Sequence, residues 1–170
     1  MTDWTTPTHV VNGTDLDAVK FNTETVDNLA FLHEAKAGIM SRGASLTVAP
    51  LTWTSILWDT AFIETIPMWA ASPYPERICP GLAGLWLATV AVEWPAGTDV
   101  VRTRLQRNGV DQIAADTREQ LSGYSIRTAM TCQALLDGVG NYLNVHVYHN
   151  GASPITLSGL MQISLTWLKA

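Results

Sequence analysis

The sequence predicts an all-β sandwich or barrel carried behind a short helical arm. Three observations lead there. From Ala44 onward the chain breaks into short apolar or alternating runs separated by Pro, Gly and Asn-Gly signals, the pattern of an antiparallel β protein. Between Asp15 and Lys36 there is no Gly or Pro, and apolar residues fall at helical spacing. Two of the later runs, 84–94 and 160–168, are largely apolar on both faces, so each needs cover on two sides.

Composition bounds the rest. The chain of 170 residues is 47% hydrophobic but only 15% charged, where about 25% is usual. Its mean hydropathy is +0.12. A lone soluble domain needs a charged skin, so part of this surface is expected to lie under another subunit. The apolar content excludes intrinsic disorder. A net charge of −5 and a pI near 5.2 argue against a nucleic-acid partner, which needs a basic footprint. No apolar run is long enough for a membrane span. Met1-Thr2-Asp3-Trp4 shows neither a basic n-region nor an apolar h-region, so no signal peptide is expected.

The charge divides the chain. Residues 1–36 hold six acids against two bases, and the remainder nine against eight. Composition shifts again near Gly38 and Gly43. An acidic arm over 1–43 and a nearly neutral body over 44–170 are therefore expected. In the arm, Thr5-Thr6-Pro7 and Asn12-Gly13 read as extended chain and turn. Thr14 with Asp17 resembles a capping box. Leu16, Val19, Val26, Leu29 and Leu32 or His33 then fall roughly on one helical stripe over about 15–36, interrupted by Asn22. A helix this short is marginal alone. It packs either in a bundle with copies of itself, Asn22 fixing register, or on the body or another protein.

In the body, strands are expected at 46–49, 51–58, 61–69, 76–79, 84–94, 100–107, 110–116, 124–136, 142–149 and 159–168, with breaks at Pro50, Pro67, Pro73, Pro75 and Pro80. Asn108-Gly109 marks a hairpin. Side chains alternate between faces. Val101, Thr103 and Leu105 oppose Arg102, Arg104 and Gln106; Leu143, Val145 and Val147 oppose Tyr142, Asn144, His146 and Tyr148. These two strands have one wet face. In 84–94 the set Trp86, Ala88, Val90, Val92, Trp94 opposes Leu85, Leu87, Thr89, Ala91, Glu93. In 160–168 the set Met161, Ile163, Leu165, Trp167 opposes Gln162, Ser164, Thr166, Leu168.

The order of wet-faced and dry-faced strands, with Ile78-Cys79-Pro80, Gly84-Leu85-Trp86, Arg104-Leu105, Asn108-Gly109, Leu136-Asp137-Gly138 and the terminal run to Trp167, resembles the C1q/TNF-like jelly roll. The resemblance covers about 44–170. It implies a two-sheet antiparallel sandwich that trimerises about its inner sheet, with Gln162, Ser164, Thr166, Leu168, Leu85 and Leu87 at the subunit interface. In the arm, Trp4-Thr5-Thr6-Pro7, Gly13, Leu16, Ala18, Phe21-Asn22, Asn28-Leu29 and Leu32 resemble the N-terminal arm of small virion proteins of actinobacterial tailed phages. That implies attachment to a particle through Trp4, Pro7, Leu16, Val19, Val26 and Leu29.

Candidate chemistry is sparse. His146 and His149 are three apart on a strand, point to opposite faces, and read as solvated outer-sheet residues. His33-Glu34 lacks a second histidine for a zincin motif, and neither a Gly-x-Ser-x-Gly elbow nor a P-loop is present. Cys79 and Cys132 read as core residues, with a bridge between them left open. Asp59, Asp99, Asp111 and Asp116 read as solvated turn residues rather than the calcium ligands found in some C1q-like proteins. Trp53, Trp58, Trp69, Trp86, Trp94 and Trp167 read as core or subunit contacts, except that Trp69 with Tyr74, in the Pro-rich loop 67–75, forms a possible sugar-stacking platform. The expectation is a non-enzymatic, cofactor-free virion protein: a homotrimeric capsid decoration or short head fibre on the particle surface. Other virion proteins are its expected partners, and nucleic acid and membrane are not. The alternative is a tail-tip, baseplate or receptor-binding protein that recognises host surface glycan.

Overall fold

The computed structural model describes residues 36–97, 99–138 and 140–169. The helix expected over about 15–36 lies outside them, Lys36 excepted, as do all six expected attachment residues. The described residues form eleven strands: β1 Ala37–Ser41, β2 Leu46–Val48, β3 Thr54–Ser55, β4 Thr60–Glu64, β5 Ala83–Trp94, β6 Val100–Arg107, β7 Asp111–Glu119, β8 Ile126–Asp137, β9 Leu143–His149, β10 Ile155–Leu157 and β11 Met161–Lys169. A five-stranded sheet has the order β4-β1-β11-β5-β8. A four-stranded sheet, β3-β9-β6-β7, and the pair β10-β2 make the second layer. Every pairing is antiparallel.

The period-2 pattern builds the interior as read. Trp86, Ala88, Val90, Val92 and Trp94 of β5 and Met161, Ile163 and Leu165 of β11 are buried. They belong to one cluster with Val101 and Leu105 of β6 and Leu143, Val145 and Val147 of β9. Each such side chain contributes about 1.5–3 kcal/mol. Asn108-Gly109 turns β6 into β7 with both residues at positive φ, 55° and 72°, which the asparagine and glycine tolerate.

One polar network crosses this core. The Thr103 hydroxyl of β6 lies 2.6 Å from that of Thr128 on β8, and the Trp94 indole N–H donates to Thr128 Oγ1 at 3.1 Å. Thr103, Thr128 and Trp94 are completely buried. The network fixes the two sheets at one offset, because a slip would strand a buried donor.

The structure corrects several elements. Ala37–Ser41, assigned to the arm, is a strand inside the five-stranded sheet, paired to β11 on one side and β4 on the other. The compact unit therefore begins at Lys36, not at 44. Gly38, taken for a composition break, is a packing position: a Cβ there would sit 2.7 Å from Met68 Sδ. Of 51–58 only Thr54–Ser55 is strand. Of 61–69 the strand ends at Glu64, and of 76–79 only Ile78 makes a bridge. The prolines that flank and interrupt these runs remove ladder donors. β10, three residues long after Pro154, had too short a signal to read.

Asp59 closes the β1–β2 connection against the start of β4. Its carboxylate accepts the Gly43 N–H at 2.9 Å, the Ala44 N–H at 2.9 Å and the Thr60 hydroxyl at 3.1 Å. Burial alone would raise its pKa. The Ala44, Gly43 and Thr60 hydrogen bonds and the Arg42 charge outweigh that and hold the carboxyl below its usual range.

Thr128→Val keeps shape but removes the partner of the Trp94 indole N–H and the Thr103 hydroxyl. It should cost about 1–3 kcal/mol in urea unfolding, and adding Thr103→Val should recover part of that loss. Additive losses in the double variant would mean that the two hydroxyls do not act as a pair.

Candidate functional site

Two features stand out in the body: the outward face of the five-stranded sheet and a cleft beside the loop 67–79. The first is aligned by register. One row runs Ile63, Ile39, Ser164, Thr89, Thr131 across all five strands, with the Thr89 and Thr131 hydroxyls 3.0 Å apart. Its neighbours are Ser41, Gln162, Ala91, Ala129 on one side and Ala37, Thr166, Leu87, Gln133 on the other. Leu85 lies opposite Leu135, which is 65% exposed, and Leu168 is 43% exposed. The structure thus brings Gln162, Ser164, Thr166, Leu168, Leu85 and Leu87 onto one face, none of them fully buried. No charge interrupts the three rows. The Glu93–Arg127 pair, 3.6 Å apart, sits beyond one end.

The cleft is built by two bridges. Ile78 pairs with Trp69 on one side and Leu143 on the other; Ile78 and Leu143 exchange backbone hydrogen bonds of 2.9 Å. Glu64 Oε1 accepts the Met68 and Trp69 N–H groups at 2.5 and 2.8 Å. The loop is so fastened to the start of β9, leaving an open cleft of about 400 Å³ lined by Met68, Trp69, Tyr74, Arg77, Cys79 and Tyr142 among others. The Trp69 indole N–H donates to Pro75 O at 2.9 Å. The Arg77 guanidinium carbon lies 3.9 Å from the Tyr74 ring centre and 4.4 Å from that of Tyr142.

Trp69 and Tyr74, paired from sequence, line this one cleft. Arg77, Met68 and Tyr142 were missed. Arg77 had a local signal, a cation three residues after Tyr74 in a Pro-rich loop. Tyr142 had none, since only the Ile78–Leu143 bridge brings it here.

The remaining candidates disperse. His149 is not solvated: it is fully buried, with Nε2–H donating to Val48 O at 3.1 Å and Nδ1 accepting the Gly151 N–H at 3.2 Å. The strand alternation that turns His146 outward turns His149 inward. Asp99 Oδ2 lies 3.7 Å from it. Asp111 pairs with Arg107 at 2.9 Å, and Asp116, a β7 strand residue rather than a turn residue, accepts from Arg118 and from the Ala129 N–H. Both cysteines are free thiols; Cys79 is exposed at the cleft rather than in the core. Burial pushes both thiols above their ordinary pKa, which weakens them as nucleophiles. Among the described residues no three His, Cys, Asp or Glu side chains are grouped to hold a metal ion. Trp53 is neither core nor bare: its ring packs tilted against Tyr148 and lies under Arg104 on the outer face of the four-stranded sheet.

His146, on that same face, has its pKa lowered by burial and by the Arg104 charge. A folded-state pKa below the unfolded value of about 6.5 gives stability that is present above that value and lost as pH falls through the folded pKa. Wild type should therefore lose more stability than His146→Gln between pH 7.5 and pH 5 in urea titrations. Parallel losses would sink the assignment.

No family model matches the sequence, and no curated protein matches it. Solved structures do. The globular domain of zebrafish complement 1qA is 9% identical with a TM-score of 0.61, over 79% of this chain and 97% of that one. Murine APRIL is 13% identical with a TM-score of 0.56, over 78% and 100%. Eiger TNF from S. frugiperda is 16% identical with a TM-score of 0.54, over 79% and 92%. At such identities the likeness is one of fold, and with the two antiparallel layers and their strand order it shows that the described body is a jelly roll of the C1q/TNF type.

Proposed function

We propose that this chain is a non-enzymatic structural protein of a phage particle, a homotrimer whose jelly-roll body projects outward and whose N-terminal arm docks on another virion protein. The observation that carries the trimer is the uncharged, half-exposed outward face of the five-stranded sheet. Three adjoining rows of that face lack any charge in a protein whose charges are scarce but present on its other sheet. Covering such a face with copies of itself removes apolar area from water without stranding a charge. The arm's role rests on its resemblance to phage virion arms and on its excess of acids, which suits a basic docking surface. A non-catalytic reading is supported by the cleft, where no histidine is among the lining residues and burial raises the pKa of the Cys79 thiol.

A second reading, a receptor-binding protein for host surface glycan at a tail tip or baseplate, is favoured by the aromatic cleft. Copy number per particle separates the two: many copies for a capsid decoration, few for a tail tip.

Two adjacent residues of β11 test the trimer. Ile163 is completely buried inside one subunit, and Ser164 lies on the outward face. Ile163→Arg buries an unpaired charge, a cost of several kcal/mol against the ~5–15 kcal/mol that holds a domain together, and should unfold the chain. Ser164→Arg brings three like charges together across an interface, which separated monomers avoid. It should give the monomer mass by light scattering while the β circular-dichroism signal survives. A Ser164→Arg protein that stays trimeric with an unchanged Tm places the interface elsewhere.

Attachment is tested by deletion of residues 1–35. The cut stops there because removing 1–40 would take most of β1 out of its sheet. The truncated protein should fold and fail to bind particles that lack the wild-type copy. Retained binding would move attachment to the body.

A further inference from the structure

We infer that the cleft beside the 67–79 loop binds a carboxylate-bearing saccharide, with Arg77 reading the acid and the aromatic walls holding the sugar ring. This deepens the glycan-recognition reading and does not depend on trimer formation. The volume, about 400 Å³, is within the range of ligand clefts, about 300–1,000 Å³. The walls are aromatic and apolar, and Arg77 is the one charged residue among those that line the cleft. Sugar rings present C–H faces that pack on such rings, while their hydroxyls stay wet in an open cleft.

The guanidinium is held ready. It lies between the Tyr74 and Tyr142 rings, a stacked geometry that suits the planar arginine head and not a lysine. Its Nε is buried against the Glu76 carboxylate, in an ion pair with Oε1 at 3.4 Å, so the two terminal amino groups are the donors it can offer a ligand. No hydrogen bond links the guanidinium to another described residue. A carboxylate is the group that such a fork satisfies with two parallel N–H···O bonds. Trp69, by contrast, has spent its only donor on Pro75 O, so it offers the ligand its ring and no hydrogen bond.

The test titrates the full chain with tetragalacturonate and with its methyl ester, the same rings without the charge. Tryptophan fluorescence and calorimetry report binding. The acid should bind at least about tenfold tighter than the ester, the scale of a charge-assisted hydrogen bond, and added salt should weaken the acid alone. Arg77→Gln should erase that preference. Tyr74→Ala, at a half-exposed position, should weaken both ligands, and it carries the test if Arg77→Gln fails to fold. Arg102→Gln on the outer sheet should change nothing. Equal affinity for acid and ester overturns the proposal while leaving a neutral-glycan site standing. No binding of either at millimolar concentration overturns both, and binding undiminished in the cleft variants places the acid site elsewhere.

Discussion

Two neighbouring strands, β5 and β11, lie at the centre of the five-stranded sheet with little charge on either face, and the rest of the structure accommodates that constraint. A strand with one wet face is satisfied by a single covering layer. These two are not. Their inner faces are met by the four-stranded sheet, where Trp86, Val90, Ile163 and Leu165 join Leu105, Val145 and Val147 in one core. The Thr103–Thr128–Trp94 network then fixes how the layers lie. Their outer faces have no layer of this chain's described residues over them. Moving outward across the sheet does not relieve the problem. β1 adds Ile39, and the edge strands add Phe62 and Ile63 on one side and Leu135 on the other, all three exposed. The centre of this sheet is dry and its edges carry further apolar side chains, which is what the proposed association would cover.

The scarce charges follow the same logic. Arg107–Asp111 closes the β6–β7 hairpin, Arg118–Asp116 lies on β7, and Arg127–Glu93 marks the rim of the five-stranded sheet. Arg102 and Arg104 lie over Tyr148 and Trp53 on the outer sheet. Exposed pairs of this kind add little stability, ~0–1 kcal/mol each. Their placement matters for solubility instead: they keep one sheet and the rims wet and leave the other sheet's outward face bare.

Much of the fold was legible because its long strands carry an unambiguous period. The alternation in 84–94, 100–107, 142–149 and 160–168 found the inward apolar row of each, and Asn108-Gly109 located its hairpin; but Gln106 and Asn144, which face each other across β6 and β9 and were read as wet, are buried. The short elements were not legible, for physical reasons. β1 carries glycine at 38, which reads as a break when seen alone; in the fold it is a close-packed position, where a Cβ would sit 2.7 Å from Met68 Sδ. β3 and β10 have two and three residues, too few for any period. His149 shows the cost of classing a histidine as polar: lying three residues beyond His146, an odd step along an alternating strand, it points into the core, where two backbone groups satisfy its ring. In the cleft, Trp69 and Tyr74 were visible as neighbours in a loop, but the arginine between two tyrosines depends on a bridge from Ile78 to Leu143 that no local pattern encodes.

The cleft and the uncharged sheet face use different parts of the jelly roll. None of the residues that line the cleft belongs to the five-stranded sheet; they come from the 67–79 loop and the approach to β9, in the other layer. The cleft residues are therefore not part of the face proposed for association. This separation matters for what a single shallow site can do. One arginine and a few aromatic rings hold a sugar weakly, since an open cleft leaves most of the ligand in water. A three-fold assembly presents three copies at fixed spacing, and simultaneous engagement on a polymer raises overall avidity by ~10²–10⁴ without any new contact. In the proposed trimer, the low-charge sheet would then be what multiplies a weak pocket into an effective one.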